Sequence, residues 1–155
     1  MKKLVLVATH VAMLVLGFVL GIYLLPILIA PEGPSLAQIS AQMQDATYKA
    51  VFRRDLRGSD ALHWGEGIVY IGKQSIGFTG KLAPGPDYKL YLSPQFVETG
   101  EEFKRLKSSM VRVGDVRSFE NFLIPLPAGV DPSNYNTVIV WCEAFGQFIS
   151  AAQYK

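Results

Sequence analysis

The stretch TVIVWCEAF, Thr137 to Phe145, decides the fold. It reads as a buried strand. Because successive side chains in a strand point to opposite faces, Val138, Val140, Cys142 and Ala144 share one side, while Ile139, Trp141, Glu143 and Phe145 take the other. The Val and Ala neighbours turn the Cys142 thiol toward a core. Cys142 is the only cysteine of the chain.

Around this strand the chain from Tyr48 onward breaks into similar short runs, separated by Gly and Pro. They are YKAVFRR (48–54), GIVYIG (67–72), SIGFTG (75–80), YKLYLS (88–93), MVRVGDV (110–116), NFLIPL (121–126) and QFISAAQY (147–154). Turn signals such as PGPD and PAGVDPSNYN lie between them. Seven to eight short strands at this spacing predict an all-β domain, an antiparallel β-sandwich or small barrel. TGEEFKRLKS (99–108) is expected to form a helical turn with Glu102 near Arg105 and Lys107.

Ahead of the strands, SLAQISAQMQDATY reads as a short amphipathic helix. Ser35 is its N-cap, Gln38 completes a capping box, and Leu36, Ile39, Met43 and Ala46 share a face. PEGPS (31–35) is a stiff link.

From Leu4 to Ala30 there are 27 residues without a charge. At about 1.5 Å per residue a helix of this length exceeds a bilayer core of about 30 Å. The run is longer than a signal-peptide core and is followed by Pro31, so we expect an uncleaved signal-anchor. Lys2 and Lys3 place the N-terminus in the cytoplasm by the positive-inside rule, which puts the rest in the periplasm or outside the cell. The expected organisation is therefore 1–30 cytoplasmic N-terminus and transmembrane helix, 31–47 linker and short helix, and 48–155 β domain. His10 lies within the span, where a neutral imidazole near one interface is the simpler reading. Gly17 and Gly21 form a GxxxG pair that would let two spans touch in a homodimer.

The formal charge of +2 comes entirely from Lys2 and Lys3. A neutral exterior domain lacks the basic footprint of a nucleic-acid binder. No Gly-rich phosphate loop, nucleophile elbow, paired metal cysteines or CxxCH occurs. The usual hydrolase and transferase patterns are thus missing, and only strand-end carboxylates such as Asp87 and Asp115 remain as an acid–base pair. Two residues carry candidate chemistry, Cys142 as a redox thiol or thiolate ligand and His63 in DALHWGEG as a second ligand, with Trp141 and Trp64 as apolar walls. The alternative for Cys142 is core packing.

PGPDYKLYLSP, VGDVRSFENFLIPLP and NYNTVIVWCEAFGQFISAAQ together resemble the DM-thirteen domain, an electron-transfer domain that accompanies DOMON domains in animals and also occurs in bacteria. The likeness runs from about Tyr48 to Tyr154, and this chain looks like a bacterial membrane-anchored version. The resemblance implies that Cys142 is the family's characteristic cysteine, a redox centre acting as a bare thiol or by holding a prosthetic group such as haem, with His63 beside it. It implies a redox or envelope protein as partner. The other function left open is a non-catalytic cell-envelope binding or assembly module in which Cys142 fills the core.

Overall fold

A computed structural model of the chain describes residues 1–44 and 46–155. The expected all-β domain is present as an antiparallel sandwich with eight strands. They are β1 (Tyr48–Phe52), β2 (Gly65–Ile71), β3 (Ser75–Leu82), β4 (Tyr88–Ser93), β5 (Val111–Val116), β6 (Phe122–Pro125), β7 (Thr137–Cys142) and β8 (Gln147–Gln153). One sheet runs β1-β2-β3-β6 and the other β5-β4-β7-β8. Among the described residues no ladder joins the two sheets, so the fold is the sandwich of the two alternatives.

Alternation fills the space between the sheets. Phe52, Val69, Ile71, Ile76 and Phe78 from the first sheet meet Leu90, Leu92, Val138, Val140 and Cys142 from the second. The opposite face of β7 is also covered. Ile139 and Trp141 join Tyr91, Val97, Phe103 and Phe148 in a second core, roofed by α3 (Gly100–Leu106). Every residue of β7 is consequently buried. An unbroken apolar run suits a strand sandwiched on both faces. One extra residue, Ile149, bulges from β8 opposite Val140 and Trp141 without disturbing the alternation of β7.

The expected strand over 137–145 ends earlier, at Cys142. Glu143 to Gly146 form a turn, with Gly146 at φ +59°. That left-handed conformation is cheap only for glycine. Ala144 is therefore exposed, not inward with Cys142.

α3 is capped by Thr99. Its Glu102 departs from the expected pairing with Arg105 and Lys107. Glu102 binds Arg57 at 2.7 Å, and Arg57 also reaches Glu98 at 2.7 Å, which pins the β1–β2 loop onto α3. Lys107 goes instead to Glu143 at 2.8 Å.

Helix α1 (Lys2–Ile29) is a single apolar helix with 28 residues, long and apolar enough to cross a membrane. His10 Nδ1 and Thr9 Oγ1 each lie 2.8 Å from the Leu6 carbonyl, so these two side chains bond back to the preceding turn of the helix. A Cβ placed on Gly17 or Gly21 would meet nothing beyond the helix's own backbone within 4 Å.

α2 (Leu36–Gln42) shows the expected capping box: Ser35 N donates to Gln38 Oε1 at 2.8 Å, and Gln38 N to Ser35 Oγ at 3.3 Å. Ile39 and Met43 are buried against β3 at Gly77, while Leu36 is exposed. The sequence read as this helix includes Asp45, which lies outside the described residues.

Candidate functional site

The sandwich gathers three loops at one end: the loop before β2, the turn before β4 and the β7–β8 turn. Between them and α1 lies a cavity of about 200 Å³. His63 and Cys142 both line it, together with Tyr88, Phe145, Gln147 and Ile149 and with Val19, Ile22 and Tyr23 of α1. The two residues singled out in the sequence, 79 positions apart, thus line one cavity.

Cys142 reaches this place because β7 ends there. Its side chain is 2 % exposed, so the sulfur borders the cavity and not open water. Burial pushes the thiol above its ordinary value, against the opposing pull of the Phe145, Asp87 and Ala144 backbone amides. At neutral pH Cys142 is a protonated thiol, not a thiolate.

His63 is held by a tight local turn. Asp60 Oδ1 accepts from the backbone amides of Leu62 at 2.7 Å and His63 at 2.8 Å. The His63 Nδ1 lies 2.8 Å from Asp60 Oδ2. Facing a carboxylate, Nδ1 carries the ring proton in the neutral form, which leaves Nε2 as an acceptor. The hydrogen bond to His63 also holds the Asp60 carboxyl below its usual range.

Tyr88 forms the floor. Its hydroxyl donates to the Ala83 carbonyl at 2.8 Å. A Cβ on Gly85 would come within 2.5 Å of the Tyr88 ring, so the Pro84-Gly85-Pro86 turn closes over this tyrosine only with glycine at its centre.

The expected tryptophan walls are elsewhere. Trp141 stacks on Phe103 in the second core, with ring centroids 4.0 Å apart. Trp64 lies under the Arg54 guanidinium at 3.4 Å. Strand alternation sends Trp141 away from Cys142, and the cavity takes its apolar surface from Tyr88, Phe145, Ile149 and α1 instead. None of these had a sequence signal of its own except the PGP turn, which marked a rigid loop without showing what it enclosed.

Asp87 and Asp115 do come together, but around a cation. Lys89 Nζ lies 2.5 Å from Asp87 and 3.1 Å from Asp115. Arg112 also binds Asp115, at 2.6 Å. The Asp87 carboxylate, with Asp115 adding to it, raises the Lys89 ammonium above its usual value despite partial burial. These groups neutralise one another, which makes a poor general acid–base pair. Asp87, Lys89 and Asp115 line a neighbouring cavity beside the last turn of α1.

Haem does not fit the Cys142 cavity. Drug-sized ligands occupy pockets from about 300 Å³ upward, and a porphyrin is larger than the smallest of these. Among the described residues, no group of three His, Cys, Asp or Glu side chains converges as a metal site.

A two-sheet all-β domain with one thiol bordering an apolar cavity is the class that fold and site define. A family model described as Electron transfer DM13 matches residues 56–154, well over half of the chain, and the protein belongs to that family. The match takes in β2 to β8, His63 and Cys142. No curated protein and no solved structure matches the chain.

Proposed function

We propose that the protein is a membrane-anchored electron-transfer module, with α1 as a single-pass anchor, the β domain on the periplasmic or extracellular side, and Cys142 as its redox-active group. One observation carries this reading: the fold brings Cys142 to the wall of a cavity that it shares with His63. A thiol that only filled the core would need no cavity. The family to which residues 56–154 belong supports the redox class. The length and apolarity of α1 support the anchor, and Lys2 and Lys3 support its orientation.

The 2 % exposure of Cys142 favours a second reading, an envelope binding or assembly module with the cysteine as packing. Alkylation of the full chain in detergent micelles by N-ethylmaleimide separates the two. An electron-transfer site predicts that Cys142 is alkylated while the tryptophan fluorescence still reports the folded state. Modification only in step with unfolding leaves the packing reading and removes the redox one.

A further inference from the structure

We propose that the Cys142 cavity receives the ring of a membrane-dissolved quinone, which enters from the bilayer alongside α1. This deepens the electron-transfer reading and rests on α1 being a membrane anchor.

The first observation is the depth at which the cavity meets α1. The helix has 28 residues, about 42 Å at 1.5 Å per residue, whereas a hydrocarbon core of about 30 Å takes only about 20 of them. Counted from Leu4, the span is complete near Tyr23, and the last two turns stand clear of the hydrocarbon. The cavity meets the helix at Val19, Ile22 and Tyr23, at the boundary itself. A tyrosine at this level has its ring in the apolar layer and its hydroxyl at the interface.

Polarity along α1 follows the same layering. The neighbouring cavity, which meets the helix at Pro26, Ile29 and Ala30, is lined by Asp87, Lys89, Asp115 and Arg117. That level belongs to headgroups and water. The Cys142 cavity, nearer the middle of the helix, has no lysine or arginine in its wall. At its rim stand Leu62 and Phe145, 61 % and 53 % exposed, large apolar side chains of the kind that face lipid. Solvent therefore meets the charged cavity and the bilayer meets the apolar one.

The wall chemistry selects the occupant. A lipid phosphate would find no cation there. An acyl chain would strip water from Tyr23, Gln147 and His63 without giving them a partner, which costs free energy for each group. A quinone ring is apolar on its faces and carries a carbonyl at each end. The Tyr23 hydroxyl and the Gln147 amide are donors for those carbonyls. His63, with Nδ1 turned to Asp60, offers an acceptor for the hydroxyl of the reduced ring. A cavity of about 200 Å³ suits one substituted ring with its isoprenoid tail left in the bilayer.

The test uses the full chain in phosphatidylcholine nanodiscs with an azido-ubiquinone photoprobe, and maps the label by mass spectrometry. The expected result is label on the domain peptides that carry His63, Tyr88 or Cys142, displaced by ubiquinone but not by squalene, an isoprenoid hydrocarbon without the ring. Ile22→Trp, on the helix side of the mouth, is expected to lose the domain label while α1 stays labelled. Label confined to α1, or equal displacement by squalene, overturns the proposal. Release of the chain from the bilayer by a carbonate wash overturns the anchor reading and this proposal with it. If Cys142→Ser keeps the domain label, quinone binding stands, even where the thiol proves to have no redox role.

Discussion

At the scale of the residue, Cys142 belongs to the core and at the same time lines a cavity. Free cysteine packs like a small hydrophobe, and the inward side of β7 takes it as one. It is the last residue of the strand, however, so the core ends at its sulfur. Its raised pKa gives a prediction with a definite sign. In the unfolded chain the thiol ionises near its ordinary value of 9.0, whereas in the folded protein it holds its proton to higher pH. The stability that this contributes is complete below the unfolded value and is lost as pH rises through the folded one. Tyr88, Tyr91 and Tyr154 are pushed up by burial as well, so alkaline unfolding has several sources. Urea unfolding of wild type and Cys142→Ala from pH 8 upward is expected to show a shallower loss of stability in the variant. Parallel curves would mean that Cys142 titrates alike in both states. The sequence showed the thiol pointing inward but not that an apolar chamber adjoined it, because the chamber's wall comes from four separate parts of the chain.

At the scale of the element, β7 and α3 depend on each other. Phe103 is fully buried, stacks face to face on Trp141 and meets Tyr91 edge-on at 5.1 Å. The Lys107 ammonium lies 5.7 Å from both the Tyr91 and Phe103 rings, and Tyr91 donates to Glu143. Phe103→Ala is expected to cost about 3–5 kcal/mol, the usual range for a buried aromatic, measured by urea unfolding of the full chain followed by Trp141 emission. A cost under about 1 kcal/mol would mean that α3 is only a loose cover. The helical turn over 99–108 was legible, and in the structure Thr99 caps it, with Glu101 and Glu102 in its first turn and Lys104 and Arg105 in its last. Its ion pairs were not. Neighbours along the helix were the natural partners for Glu102, yet Arg57 reaches it from the β1–β2 loop with one hydrogen bond and donates another to Glu98.

At the scale of the whole molecule, the segment between α1 and β1 belongs to the fold. Asn121 Nδ2 donates to the Pro34 carbonyl at 3.4 Å, and Ile39 is 1 % exposed beneath α2. A linker free of the sandwich would bury neither. Ile39→Ala is accordingly expected to destabilise the protein by about 2 kcal/mol or more, again by urea unfolding, whereas Leu36→Ala on the exposed side should leave the midpoint nearly unchanged. Equal effects of the two variants would contradict the packing of α2 on β3. This docking also fixes the distance between the end of α1 and the domain, and with it the closeness of the Cys142 end of the sandwich to Val19, Ile22 and Tyr23. The sequence by itself determined the run of seven to eight strands, the capped helix after Ser35, the helical turn over 99–108, the long apolar segment and the inward side of Cys142, because alternation, turn residues and caps are properties of neighbours along the chain. Only the tertiary structure decided that His63 and Cys142 line one cavity, that Trp141 does not, and that Asp87 and Asp115 spend their charge on Lys89. Those relations depend on which strands lie side by side and which loops share an end, and nothing local in the chain records that.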